Sequence, residues 1–408
     1  MNLGNIGGGT ANVTIKALDA SGSVVLNQAT TIPSLGVKRT WDLIGDIYDY
    51  GKPLTVEVVG DQTLSGDNIK WADPPYDTVG AGFTCAPVSQ MKGTLFYFPF
   101  SSFGSVQGYA AISNTTSSTA NITVQVFDAA GVLKKTAGMT VGPKGVGRTW
   151  ESLGNIATWA DPALVKILSD QDIVVEAVRW ESNKRGWGFA IFPSAIASGT
   201  SFLIPFNALN NGNVNLGNIG GGTANVTLNI WSAAGAVVKT QALTIPALGV
   251  KRTWDIIGDI YDYGKPVTVE VTSDQPLAGD NIKWADPPYD TVGAGFSCAP
   301  VSLMKGKTFY FPFSSFGTVQ AYAAISNTTS STANITVEVY DQTGLLKKTQ
   351  GMTVGPKGVG RTWDSLGNIA TWADPALVKI TSDQDIVVEA VRWESNKRGW
   401  GFAILPII

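Results

Sequence analysis

Acids and tryptophans are the residues best placed to do chemistry in this sequence of 408 residues, because it contains no histidine. Without histidine, no side chain titrates unperturbed near neutral pH. A serine or cysteine nucleophile also lacks its usual activating base, which excludes Ser/His/Asp and Cys/His sites. A carboxylate pair is the remaining hydrolytic arrangement, and nothing in the sequence brings two acids into one cleft. Asp42, Asp46 and Asp49 form an acidic cluster, repeated as Asp255, Asp259 and Asp262. Hard cations suit clustered carboxylates, but the spacing of these three is not the alternating Asp-Xaa-Asp of a calcium loop. The matching positions elsewhere are Glu151, Asn155 and Thr158, and Asp364, Asn368 and Thr371, so helix capping and turns account better for these acids. Gly7-Gly-Gly9 is no phosphate loop, since a period-2 strand follows it where a helix N-terminus is required. The expectation is a protein without enzymatic activity, metal or cofactor.

Arg-Thr-Trp occurs at 39–41, 148–150, 252–254 and 361–363, and a second basic-Trp pair at 70–71, 179–180, 283–284 and 392–393. An Arg/Trp platform can hold sugars or aromatic ligands by stacking and cation–π contact. Recurrence throughout the chain favours the alternative, tryptophans filling cores, and Trp41 and Trp254 are expected to be core residues worth about 3–5 kcal/mol each. Trp187 and Trp400 differ: they lie in Lys-Arg-Gly-Trp-Gly-Phe, where flanking glycines place them on a flexible turn beside Arg185 and Arg398. These four are the candidate ligand contacts. Cys85 and Cys298, the two cysteines, form neither a disulfide framework nor a zinc spacing. Ile191 occupies the matching position, so a small buried hydrophobe is expected, with an interchain disulfide as the alternative. Sequons begin at Asn12, Asn114, Asn121, Asn225, Asn327 and Asn334 and permit glycosylation in a secreted protein.

The architecture follows from repetition. Asn2-LGNIGGGTANVT recurs from Asn215, and Trp180-ESNKRGWGFAI recurs from Trp393, both at an offset of 213 residues. A weaker repeat at 109 residues relates Arg39-Thr-Trp41 to Arg148-Thr-Trp150. The chain is therefore expected to be all-β: four tandem antiparallel, Ig-like β-sandwich modules in ABAB order, at 1–93, 94–199, 200–306 and 307–408. Period-2 patterns such as Ile335, Val337 and Val339, separated by Gly/Pro/Asn/Asp turns, give seven or eight short strands per module. In the last module these are Thr308–Phe313, Ala321–Ser326, the strand around Ile335, Leu345–Val354, Val359–Trp363, Leu377–Thr381, Ile386–Trp393 and Trp400–Leu405. The stretch after each Arg-Thr-Trp, such as Leu43–Tyr50, has room for a helical turn. Three modules open with an apolar-Pro-Phe strand, at Phe98–Phe100, Ile204–Phe206 and Phe311–Phe313. The first module lacks it.

The order Asn-Xaa-Thr strand, acidic-turn-Gly, Pro-Xaa-Gly turn and Ser-Asp-Gln before Ile-Val-Val-Glu resembles tandem β-sandwich repeats of secreted bacterial and archaeal surface proteins. Thr381–Glu389 also resembles, distantly, the sensory rhodopsin transducer sandwich. The resemblance implies a sandwich fold and a place outside the cell; it implies no ligand.

Composition is consistent with that setting. Charged residues make up 15% and the net charge is −3, with no basic run for nucleic acid or anionic membrane and no stretch long enough for a membrane span. The N-terminus has no signal-peptide character, so the expectation is that secretion information has been removed or that the chain starts mid-gene. An extracellular or cell-surface structural protein is expected, a subunit of a filament, sheath or stalk that self-associates head to tail or laterally. The alternative is an adhesin or carbohydrate-binding repeat protein using exposed tryptophans on surface glycans. The edges expected to carry assembly are Asn2, Leu3, Leu405, Ile407 and Ile408, with the face left by the missing strand pairing with another chain.

Overall fold

The computed structural model describes residues 1–69, 83–102, 106–181, 185–206, 211–284, 296–315, 319–394 and 398–407. Almost every element is a strand. The first repeat holds β1 (Asn2–Asn5), β2 (Ala11–Leu18), β3 (Val24–Ile32), β4 (Val37–Arg39), β5 (Thr55–Gly60), β6 (Leu64–Asn68) and β7 (Phe83–Cys85). The second holds β8 (Gly93–Phe100), β9 (Gln107–Asn114), β10 (Ala120–Phe127), β11 (Leu133–Val141), β12 (Val146–Arg148), β13 (Ala163–Glu181) and β14 (Arg185–Ile191). The third holds β15 (Gly199–Phe206), β16 (Asn211–Asn218), β17 (Ala224–Ser232), β18 (Val237–Ile245), β19 (Val250–Arg252), β20 (Val267–Trp284) and β21 (Phe296–Cys298). The fourth holds β22 (Gly306–Phe313), β23 (Val319–Asn327), β24 (Ala333–Tyr340), β25 (Leu346–Val354), β26 (Val359–Arg361), β27 (Ala376–Glu394) and β28 (Arg398–Ile404). A helical turn and a 3-10 turn follow each Arg-Thr, as at Trp41–Ile44 and Ile47–Tyr50.

In the fourth repeat, the separate strands expected over Leu377–Thr381 and Ile386–Trp393 are one strand, β27. Its first half lies between β24 and β22, and its second half between β23 and β28. One long strand thus belongs to both layers of the sandwich, a known way of turning a corner. Ser-Asp-Gln, which lies between the two expected strands, is the bend inside it. The chain does not leave the sheet there because Asp383 accepts from the backbone N–H and side-chain amide of Asn334 on β24, at 2.8 and 2.6 Å. β22 also straddles the bend, pairing Gly306 with Ile386 on one side and Thr308 with Thr381 on the other. β8 on β13 and β15 on β20 do the same. The expected strand Val359–Trp363 stops at Arg361, because Trp363 opens a helical turn.

The first repeat has no such straddling strand among the described residues, and its sheet is divided. One part orders as β4-β1-β6-β7 and the other as β3-β2-β5. The span that is continuous strand in β20 is here broken between β5 and β6.

The repeats contact one another in a closed cycle. In each, the turn after the second long strand carries a glycine of positive φ: Gly22 (86°), Gly131 (81°), Gly235 (80°) and Gly344 (83°). A Cβ on any of them would strike a carbonyl oxygen of another repeat: Pro143, Ala247, Pro356 and Ser34 respectively. The first repeat thus meets the second, the second the third, the third the fourth, and the fourth the first. The cores of the second and fourth repeats run together into one apolar cluster that includes Ile282, with Ile69 packed against it.

Candidate functional site: buried ion pairs between the repeats

The charged side chains most deeply buried sit where one repeat meets another. Each long strand carries an acid and, three residues later, a base: Glu176 and Arg179, Asp280 and Lys283, Glu389 and Arg392, with Asp67 and Lys70 in the first repeat. Side chains alternate faces along a strand, so residues an odd number apart point in opposite directions. The acid and base of one strand therefore cannot pair with each other, and three such acids and three such bases reach into a neighbouring repeat.

Arg179 pairs with Asp280, Lys283 with Glu389, and Arg392 with Asp67. The six side chains are 0–1% exposed. Each base also donates to the carbonyl of the proline in its own opening strand: Arg179 to Pro99 at 3.2 Å, Lys283 to Pro205 at 2.9 Å and Arg392 to Pro312 at 3.2 Å. Each lies near the phenylalanine that follows, as Lys283 does over Phe206 at 4.8 Å. The aspartates have a further donor: Asn215 gives its amide to Asp280 at 2.7 Å, and Asn2 to Asp67 at 2.9 Å. Ser101 and Ser314 then donate to Asn215 and Asn2 from the adjoining repeat, at 3.2 and 2.8 Å.

The two kinds of junction are matched in length. Arginine reaches one atom further than lysine, and aspartate one atom less than glutamate. Arg–Asp and Lys–Glu therefore span the same gap, whereas pairing two A-type or two B-type repeats would combine a short base with a short acid or a long base with a long acid. Gly188 and Gly401 contribute to the glutamate side, since a Cβ on either would strike the Glu176 or Glu389 carboxylate. Burial pushes the Asp280 carboxyl above its usual range, with Arg179 and Asn215 pulling the other way. It does the same to Glu389 against Lys283.

The tryptophan expectation needs correction. Trp41 is 43% exposed and Trp254 36%. The buried member of Arg-Thr-Trp is the threonine, at 0–1% in all four copies. Its hydroxyl accepts the backbone N–H of Ala110, Val214 or Ala323 at 2.9 Å, tying the turn to the neighbouring strand. The arginine pairs with the acid three residues on, as Arg39 does with Asp42 at 2.8 Å. Asp46 and Asp259 cap the 3-10 turns by accepting from Tyr48 and Tyr261, both at 3.0 Å. No group of three metal-binding side chains occurs among the described residues.

Trp187 and Trp400 lie in strands, opposite Arg179 and Arg392, and not on a turn. Their side chains, and those of Arg185, Arg398, Cys85 and Cys298, are outside the described residues, as is Ile408. Asn2 and Leu3 are 0% and 3% exposed, closed in by the chain itself. Leu405 is partly buried against two apolar clusters, one of Met91, Ala190, Phe192 and Ala197 and one of Leu203, Ala299, Met304 and Val387. Ile407, 41% exposed, donates its N–H to the Thr308 carbonyl on β22 of its own repeat at 2.9 Å. Of the sequon asparagines, Asn114 and Asn327 are buried. Asn12, Asn121, Asn225 and Asn334 are exposed and bonded to aspartates.

No family model matches the chain and no curated protein does. Among solved structures it is similar to the Anabaena sensory rhodopsin transducer, at 20% identity and a TM-score of 0.17, over 20% of this chain and 90% of that one. It is similar to Thermotoga maritima 1070 at 12% identity and a TM-score of 0.20, over 25% and 94%. A GH2 β-galacturonidase from Eisenbergiella tayi bound to galacturonate is similar at 13% identity and a TM-score of 0.14, over 72% of this chain and 42% of that one.

Proposed function

We propose that the chain is a non-catalytic structural protein of the cell exterior, a subunit that assembles through its sandwich repeats. The observation that carries this reading is the use made of buried charge. The three buried ion pairs among the described residues join one repeat to another. Burying ionic groups contributes little net stability but penalises wrong partners, as suits a body assembled from similar parts. The closed cycle makes the assembling unit a block, in place of the string of beads expected of a stalk. Electron micrographs and light scattering of the purified protein test the proposal. Filaments or sheets that grow with concentration support it, and single particles of one chain at every concentration refute it. Protease treatment of intact cells tests the location.

The exposure of Trp41 and Trp254 favours a second reading, glycan binding. Each ring lies beside an Arg–Asp pair, an arrangement suited to stacking on a sugar. Loss of glycan-array binding in a Trp41→Ala/Trp254→Ala double variant with unchanged melting temperature supports this reading. A wild-type protein that binds no glycan removes it.

A further inference from the structure

We propose that β3 is a self-pairing edge, on which a second copy of the chain lays its own β3 antiparallel; this rests on the assembly reading and deepens it by naming one contact and its partner. In every repeat the strand after the positive-φ glycine ends its sheet: β3, β11, β18 and β25 each have one strand partner among the described residues. The edge is common to all four repeats, so it belongs to the fold. Such an edge offers N–H and C=O groups to another strand, and lysine is a usual protection against that. All four edges open on an exposed apolar residue: Val24 at 55%, Leu133 at 47%, Val237 at 47% and Leu346 at 45%. Three then carry lysine: Lys134 and Lys135 on β11, Lys239 on β18, and Lys347 and Lys348 on β25. Lys135, Lys239 and Lys348 lie over the rings of Trp159, Tyr263 and Trp372, at 4.4, 5.9 and 4.5 Å. The residue matching all three is Leu26, and β3, Val24-Val-Leu-Asn-Gln-Ala-Thr-Thr-Ile32, has no charged side chain.

The backbone of β3 is set for this pairing. On β2, Asn12 directs both its N–H and its C=O at Asp61, at 2.8 and 3.2 Å. Backbone groups alternate sides along a strand, so Val13 and Ile15 face β3, and Thr30 and Gln28 opposite them face back. The N–H and C=O groups of Asn27, Ala29 and Thr31 therefore point to the other side. Gln28 marks that side by donating its side-chain amide to the Ala29 carbonyl at 2.8 Å. A two-fold axis at Gln28 pairs the whole of β3 with the β3 of a second copy: Val24 meets Ile32, Val25 meets Thr31, Leu26 meets Thr30 and Asn27 meets Ala29. No charge on one β3 meets a charge on the other, and Val24 and Val25, 55% and 40% exposed, are covered. Lys38, on β4 in the other layer, stays bonded to the Thr30 hydroxyl at 2.9 Å. The sheet β3-β2-β5 then continues across the axis into its own copy. A two-fold contact closes on itself, so this one makes pairs of blocks, and growth beyond pairs uses a different surface.

The test is sedimentation velocity of the full chain over a range of concentrations, beside a Val25→Lys/Leu26→Lys variant that gives β3 the Lys-Lys of β11 and β25. The variant should keep its melting temperature and need about tenfold more protein, or more, for the same degree of pairing. Hydrogen exchange of the parent, which needs no variant, should slow with concentration at the amides of Asn27, Ala29 and Thr31. Residues 136–140 of β11 and 349–353 of β25 should exchange alike at every concentration. Equal association of parent and variant, or exchange at β3 that ignores concentration, overturns the proposal. Either result beside filaments that still grow in micrographs leaves the assembly reading in place. Pairs that form through β3 and never grow further overturn the assembly reading and leave this contact standing.

Discussion

The first and third repeats share most of their sequence and differ in a single strand, and the residues around that strand differ in burial accordingly. Val214, Ile260, Val269, Val271 and Leu277 are 0–1% exposed in the third repeat. Their counterparts Met1, Ile47, Val56, Val58 and Leu64 are all half-buried in the first. Val13 and Ile15, on the far strand β2, stay at 0–1%. The opening strand therefore seals one side of the sandwich and staples its corner, while the far side forms without it. The ion pair made by the aspartate of each repeat does not depend on it: Asp67 and Asp280 are both 0% exposed and both meet an arginine.

The largest expected effects are at these junctions. Asp67→Ala and Asp280→Ala each leave a buried guanidinium unpaired, and each should cost about 3–5 kcal/mol. The two losses should be equal in denaturant titration if the missing strand is irrelevant there. A clearly smaller loss for Asp67→Ala would break the comparison. Arg179→Lys combined with Asp280→Glu keeps the spanned length and should recover most of what either single change loses, read as a double-mutant cycle.

Core truncations come next. Val269→Ala removes apolar volume from a sealed core and should cost about 2 kcal/mol. Val56→Ala, at a half-open position, should cost about half as much. Equal losses by thermal or urea unfolding would mean that the first core is as closed as the third.

The smallest effect is a response to acid shared by both repeats. Asp61 and Asp274 are exposed, and each accepts from an asparagine side chain and its backbone N–H, which lowers its pKa. A lowered folded pKa gives stability that is present above the unfolded value and lost as pH falls through the folded one. Asp280 and Glu389 have the opposite sign: burial raises them, so their contribution is present at low pH and declines as pH rises through the folded value. Asp61→Asn and Asp274→Asn should therefore each flatten the loss of stability below about pH 4 by the same small amount. A flattening in only one of the two repeats would show that the open edge reaches this turn.

Much of this fold could be read from the sequence, because turn chemistry and repetition are local. The Asp-Xaa-Xaa-Gly turns and the helical turn after Arg-Thr follow from residue types in order. The joining of two expected strands into β27 did not, because the bend at Ser382-Asp-Gln384 uses turn residues while a bond from Asn334 holds the chain in the sheet. Trp41 and Trp254 were misread because a large apolar ring suggests a core, whereas the small Thr40 and Thr253 fill the interior. The ion pairs carried a signal that went unused. An acid and a base three apart on a strand face opposite ways, and two charges inside Ile386-Val-Val-Glu-Ala-Val-Arg392 need partners from elsewhere.

Hydrogen exchange at single-residue resolution tests the central claim most directly, because it reads the edge of β5 and the matched stretch of β20 in one sample. The account predicts that amides of Thr55–Gly60 exchange much faster than those of Val267–Ser273, while Val13–Lys16 and Val226–Asn229 are protected alike. Equal protection of the two stretches would contradict the account.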